Sequence, residues 1–274
     1  AKAGTQIVPT APLGPGLRRG TAGDGLRAGY RQLTIFRQGP DMIRTPPLAF
    51  LALAAAVPAG AAERTYSITD FDKVQVDGPY RVVLTTGRSS SARAEGSTEA
   101  LDHISVDVQG GTLRVRRNRS AWGAPPGGGT GPVTVTLTTR DLRNAAVVGS
   151  GSLDIDRARG LRVDFSLSGS GRLNVGSVEA DNLVVGLLGG GRITLAGHAK
   201  QLKATVMGSG DLAAAGLTAD DAQIASDTAG TVAVGVARTA KVTATGAGDV
   251  EIVGSPVCTV QAKGSGQVSC GAGR

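Results

Sequence analysis

Aromatic residues account for 3% of this 274-residue chain, which holds two cysteines, two histidines, two methionines and a single tryptophan. So few rings cannot tile a stacking platform for bases or sugars. No H-E-x-x-H, C-x-x-C or G-x-S-x-G motif occurs, which removes the common zinc-hydrolase, dithiol and serine-hydrolase signatures. The longest apolar run, Leu48–Val57, is ten residues, about half of what a bilayer-spanning helix needs. His103 precedes an expected strand and His198 lies between two others; each reads as an exposed or hydrogen-bonded histidine rather than a base or ligand.

Glycine is abundant instead, with 42 residues. It recurs as Gly149-Ser150-Gly151, Gly169-Ser170-Gly171, Gly189-Gly190-Gly191, Gly208-Ser209-Gly210, Thr228-Ala229-Gly230, Gly246-Ala247-Gly248 and Gly264-Ser265-Gly266. Successive clusters are 20, 20, 19, 20, 18 and 18 residues apart, about 19 on average. A period of that size marks an architecture of stacked rungs.

Between clusters, apolar residues alternate with polar or small ones. Four residues after each cluster begins stand Leu153, Leu173, Ile193, Leu212, Val232, Val250 and Val268. Four residues before stand Ala145, Phe165, Val185, Ala204, Ile224, Val242 and Val260. A period of two is the strand signature. Each rung is therefore expected to run strand, glycine corner, strand, second corner, with glycine at the corner because it takes positive φ without a Cβ penalty. The fold class predicted is an all-β, single-domain, right-handed parallel β-helix, or solenoid, with about 19 residues per rung. Seven rungs at about 4.8 Å would make a rod of roughly 34 Å.

The pattern extends backwards less regularly. Val74 and Val76 precede Gly78, and Val82 and Leu84 follow it; Val106 and Val108 lead to Gly110-Gly111, followed by Leu113 and Val115. Both are expected as rungs, and Val133, Val135 and Leu137 as a further strand, with insertions at Arg88–Glu99 and Asn118–Gly131. The domain thus divides into less regular rungs over 62–140 and regular repeats over 141–270, since end rungs must cap the stack.

Upstream, Met42-Ile43-Arg44, the apolar run Leu48–Val57 and Pro58-Ala59-Gly60-Ala61-Ala62 read as a signal peptide over 42–61, cleaved between Ala61 and Ala62. A membrane anchor or buried helix is the alternative, and ten residues are too few for the former. Residues 1–41, glycine- and proline-rich, are expected to be a non-native upstream extension or disordered. The formal net charge is +7, but seven of the 29 Lys and Arg and two of the 22 Asp and Glu precede residue 62. That leaves 22 and 20, a net +2 over 62–274, and a nucleic-acid partner falls away. Export to the periplasm or cell surface of a bacterium is the expected location.

Cys258 and Cys270 both fall in interior columns around the last glycine cluster. Two readings stand: a disulfide that clamps the final rung, plausible in an exported chain, or a pair of free buried thiols.

With these features assembled, the chain resembles the family of putative auto-transporter adhesins, head GIN domain. The resemblance runs from about Arg64 to Cys270. It rests on Phe71-Asp72-Lys73-Val74-Gln75-Val76-Asp77-Gly78, on Leu101 to Val115, on the G-S-G-x-L-x-V repeats and on the closing Cys258 and Gly264–Cys270 segment. It implies an exported bacterial β-solenoid of unassigned role. An autotransporter's transmembrane barrel is not expected, since four residues follow Cys270 in this sequence.

The remaining chemistry is sparse. Four Gly-Ser-Gly serines cannot all be special, and phosphate loops precede helices whereas these clusters precede strands. Asp211 and Asp249 occupy one position of a calcium-type repeat that other rungs fill with Ser, Arg, Thr or Gln, so no metal or other cofactor is expected. Outward positions such as Asp164, Lys203, Gln223 and Lys241 build no acid pair. Arg114, Arg116, Arg117 and Arg119 lead into a loop carrying Trp122. That loop would engage an acidic glycan or an envelope protein, or else Trp122 folds back over the solenoid's end. The function expected is a non-enzymatic binding or adhesion-type structural module. The alternative is a carbohydrate-active enzyme, lyase- or hydrolase-like, using an outer face. A third reading has strand edges at either end packing against another envelope protein.

Overall fold

The computed structural model describes residues 62–118 and 132–272; Ala61, Arg119 and Trp122 lie outside these residues. The described part belongs to one compact unit. It opens with β1 (Ala62–Tyr66), β2 (Lys73–Asp77), β3 (Arg81–Thr86), β4 (Ser91–Gly96), the short helix α1 (Thr98–Asp102), β5 (Ile104–Gln109), β6 (Thr112–Arg117) and β7 (Thr134–Thr139). The repeats follow as β8 (Asn144–Gly149), β9 (Ser152–Gly169), β10 (Arg172–Gly189), β11 (Arg192–Gly208), β12 (Asp211–Thr228), β13 (Val232–Ala244), β14 (Val250–Gly254), β15 (Val257–Ala262) and β16 (Val268–Ala272). Together they form one sheet wound into a β-solenoid of about six turns.

β9 to β13 lie side by side and parallel, each offset from the last by one repeat. Leu153, Leu173, Ile193, Leu212, Val232 and Val250 stand in register, as do Phe165, Val185, Ala204, Ile224 and Val242. None is more than 2% exposed. Burying one such Leu or Val contributes about 1.5–3 kcal/mol, so the ladders collectively supply the core.

The expected second corner is not a loop. The ladder continues through Ser177–Ala180 against Arg157–Gly160, skipping Asp156/Gly176 and Leu161/Asp181, so each of these rungs has three ladder segments. Ala158, Val178 and Leu217 are buried there, giving the middle segment its own apolar side to pack.

Two distinct demands select glycine at the main corner. The first glycine of the cluster has positive φ: 102° at Gly149, 121° at Gly169, 114° at Gly189 and 112° at Gly208. The last glycine does not, but a Cβ at Gly191 would stand 2.6 Å from the Gly171 carbonyl oxygen of the rung before.

The N-terminal rungs depart from expectation in three ways. Gly110 and Gly111 turn no rung: their φ values of 57° and 73° fit a type I′ hairpin, and β5 returns antiparallel to β6 with Val106 opposite Val115. Rungs also do not stack in chain order, because β2 lies between β6 and β8, and β3 between β7 and β9. The expected insertion at 88–99 is instead capping structure, since β4 pairs antiparallel with β7 and β1 and leads into α1. Ser97 caps α1 by accepting from the Ala100 N–H at 3.1 Å, and Ala100 and Leu101 are each 2% exposed. Arg64 Nη1 donates to the Leu101 carbonyl at 2.8 Å, fixing the helix over the core's end.

Cys258 and Cys270 are joined as a disulfide, with Cα atoms 6.6 Å apart. They continue the columns of Ala240 and Ile252, as their spacing predicts. They are not buried, however: Cys258 is half-buried and Cys270 exposed, because among the described residues no further rung covers them.

The corner geometry separates two neighbouring glycines. A Cβ on Gly191 meets backbone and the Leu167 Cδ2 at 2.7 Å, whereas one on Gly190 meets only the movable Ser209 Oγ at 3.2 Å. Gly191→Ala is expected to cost about 1–3 kcal/mol and Gly190→Ala under about 0.5 kcal/mol. Thermal melts of the two variants check this; equal midpoints would refute it.

Candidate functional site

Beyond its second bend each rung presents two outward columns. By register these are Arg162, Asn182, Gln201, Asp221 and Thr239, then Asp164, Val184, Lys203, Gln223 and Lys241. Alternation forces them out, because the residues between, such as Val163, Leu183, Leu202, Ala222 and Ala240, are buried. The bend beside them makes this face concave, and the columns, Asp164 apart, line a groove of about 560 Å³ across β9 to β13. That size falls within the ~300–1,000 Å³ of ligand sites, though the groove is open and polar.

Its charges divide into paired and unpaired. Arg162 grips Asp164 with Nε and Nη2, both at 3.1 Å, and this contact raises the guanidinium's pKa above its ordinary value. Asp221 accepts from Arg238 Nη2 at 2.7 Å and from Thr239 Oγ1 at 2.6 Å. Lys203 and Lys241 are exposed and form no ion pair among the described residues. They stand two rungs apart, about 9.6 Å at the usual strand spacing, with Gln223 between them.

At the neighbouring bend acidic and basic side chains of adjoining rungs meet. Arg159 pairs with Glu179 at 3.7 Å, Lys200 with Asp181 at 2.7 Å and His198 Nε2 with Asp220 at 3.4 Å. Asp181 raises the Lys200 pKa, chiefly by its hydrogen bond. Exposed pairs of this kind are screened by solvent, so they order the surface rather than hold the fold.

The groove offers little for catalysis. The one carboxylate lining it, Asp221, lies three rungs from Asp164 beside it, about 14 Å, and both are held by arginine. Glycosidase pairs sit about 5–9.5 Å apart.

The family described as "Putative auto-transporter adhesin, head GIN domain" matches residues 70–256. This chain belongs to that family. β1, β15, β16 and the disulfide fall outside the matched span. Among solved structures, a putative adhesin from Bacteroides fragilis NCTC 9343 aligns over 77% of this chain and 96% of that chain, with a TM-score of 0.71 and 21% identity. A putative lipid binding protein from Parabacteroides distasonis ATCC 8503 aligns over 77% and 98%, with a TM-score of 0.63 and 19% identity. At such identities these likenesses establish the fold. No curated protein matches the chain.

Three of the arginines expected to lead into the Trp122 loop lie on a strand. Arg114, Arg116 and Arg117 belong to β6, where Leu113 and Val115 point inward and are fully buried. Arg116 Nε pairs with Asp107 at 3.4 Å, whereas Arg114 Nε and Asp107 Oδ2 are buried without a hydrogen-bond partner among the described residues. The groove columns include Lys203, Gln223 and Lys241, visible in the sequence as outward residues; what the sequence did not reveal was the column at the bend beside them.

Asp211 and Asp249 each hold the backbone of the next rung. Asp211 Oδ1 accepts from the Thr231 N–H at 3.0 Å and Asp249 Oδ1 from the Gln267 N–H at 2.9 Å, each one rung on. Among the described residues no group of three or more candidate ligands could hold a metal ion. The Thr231 N–H first, then Arg192, hold the Asp211 carboxyl below its ordinary 3.8. A lowered value stabilises the charged, folded form, so this contribution is complete above that ordinary value, which the unfolded chain keeps, and is lost as pH falls through the folded one. Asp211→Asn should therefore melt below wild type at neutral pH, and the difference should shrink in strong acid; a pH series of melting curves that stays parallel would refute the assignment.

Proposed function

We propose that this protein is an exported, non-catalytic binding module of the cell envelope or surface that holds an elongated acidic glycan along the groove on β9–β13. The observation that carries this reading is the pair Lys203 and Lys241, which face one groove without a carboxylate partner while nearly every other charge around it is matched. An ammonium group on a flexible stem in a polar trough suits a carboxylate or sulfate on a chain that repeats along the rod. Gln223, Asn182 and Gln201 add amide donors and acceptors for hydroxyl groups.

Membership of a family described as adhesins supports a binding role, as does the adhesin label on several structural neighbours. Export is supported by the basic, apolar and small-residue segments over 42–62 and by the disulfide between Cys258 and Cys270. A polysaccharide-cleaving role is the poorer reading, because the groove is lined by one carboxylate, Asp221, which Arg238 neutralises.

The test is a panel of uronic-acid and sulfated polysaccharides beside neutral dextran. Saturable, salt-sensitive binding to the acidic members is expected, weakened about tenfold or more in Lys203→Glu/Lys241→Glu with the melting curve unchanged. Loss of binding in Trp122→Ala but not in the double variant would move the site to the loop and overturn the groove. New reducing ends or unsaturated products would overturn the non-catalytic reading.

A further inference from the structure

The groove changes character from one rung to the next. β10 presents Asn182 and Val184, β11 Gln201 and Lys203, β12 Asp221 and Gln223, and β13 Thr239 and Lys241. Lys203 and Lys241 therefore fall on alternate rungs. Among the described residues lining the groove, the rungs before and between them supply no free cation. At β12 the guanidinium of Arg238 is already taken: its Nη2 lies 2.7 Å from Asp221 Oδ2 and 3.9 Å from Asp220 Oδ2. Half-buried Asp221 still lines the groove there, at the same rung as exposed Gln223.

Successive rungs lie about 4.8 Å apart and alternate ones about 9.6 Å. An extended polysaccharide advances by close to one such step per sugar, so a chain laid along the columns sets one sugar on each rung. A charge on every sugar would put a carboxylate on β12 beside that of Asp221, with no free cation to offset it. Bringing like charges together costs affinity. A charge on every second sugar instead places carboxylates at Lys203 and Lys241 and leaves uncharged sugars over Val184 and Gln223. Val184 then meets ring C–H groups, and the Asp221 carboxylate, which only accepts, takes a hydroxyl or amide N–H.

We infer that the glycan, whose place in this groove is the reading proposed above, carries a carboxylate on alternate sugars with an uncharged sugar between. Two elements discriminate. The lysine spacing attracts the matching period, and Asp221 rejects a denser one. Net attraction alone runs the other way, because a chain charged at every sugar brings twice the charge in the same length.

Fragments of hyaluronan, charged at every second sugar, and of polyglucuronate, charged at every sugar, test this by titration calorimetry at equal length. Hyaluronan is expected to bind about tenfold tighter or more, despite its lower charge. Gln223 is exposed and outward, so Gln223→Lys adds a cation to β12 without touching the core. That variant is expected to erase or reverse the preference. Equal or tighter binding of polyglucuronate by wild type, with both fragments lost in Lys203→Glu/Lys241→Glu, overturns the alternation and leaves the groove as the site. A hyaluronan preference unchanged by Gln223→Lys also overturns the alternation, since charge spacing is then not its source. Binding of neither fragment, or of both by the double variant, overturns the groove reading and the inference with it.

Discussion

In successive rungs a corner carbonyl occupies the space where a side chain of the next rung would begin. The oxygens of Gly151, Gly171, Gly191 and Gly210 face Gly171, Gly191, Gly210 and Gly230 in this way. Three of these oxygens also accept the ladder hydrogen bond that follows the corner: Gly151 from Arg172 at 2.9 Å, Gly171 from Arg192 at 3.1 Å and Gly191 from Asp211 at 3.0 Å. One atom thus fixes both the closeness of the corners and the register of the strand leaving them. A wider corner would leave buried carbonyls unpaired and move the aliphatic columns out of line. The core, the outward columns and the groove all inherit their alignment from this contact.

The corner can change its chemistry and keep the contact. At Thr228 the first glycine is lost; the threonine is 1% exposed, donates to the Gly210 carbonyl at 3.0 Å and accepts from the Gly230 N–H at 3.0 Å. Later corners no longer show positive φ at Gly246 or Gly264, yet Gly246 still stands against the Thr228 carbonyl. The interval between clusters shortens to 18 residues over the same stretch, and the β12–β13 ladder skips from Ala214 to Thr218. A side-chain hydroxyl has replaced a backbone conformation as the corner's fastening, and the middle segment contracts with it.

The aliphatic columns and the first corner were legible because both repeat with fixed period, and repetition needs no knowledge of distant partners. The stacking of β2 between β6 and β8 was not, since strand order is decided by contacts far along the chain. Gly110-Gly111 looked like a corner because glycine pairs mark both corners and hairpins. The usable signal was its two-residue length between alternating strands, which favours a hairpin. Arg114 and Arg116 alternate with Leu113 and Val115, and that strand periodicity is what places them on β6 before the loop. The middle segment escaped notice because its inward column mixes Ala158, Val178, Gly197 and Leu217, too uneven to stand out. The groove was half visible: its concavity comes from the bend after that segment.

Repetition stabilises this fold, and departures from repetition give its surface an address. Where like residues recur, as in the small outward column Ser166, Gly186, Thr205, Ala225 and Thr243, every rung offers the same surface and no position is preferred. At the bend, opposite charges from adjoining rungs neutralise one another: Glu179 meets Arg159, and Asp181 meets Lys200. Where the alternation lapses, with Val184 and Gln223 flanking Lys203 in its column, a cation faces solvent with no adjacent carboxylate in that column. A regular rod selects a ligand by such lapses, because they alone fix where along its length a repeating polymer must sit.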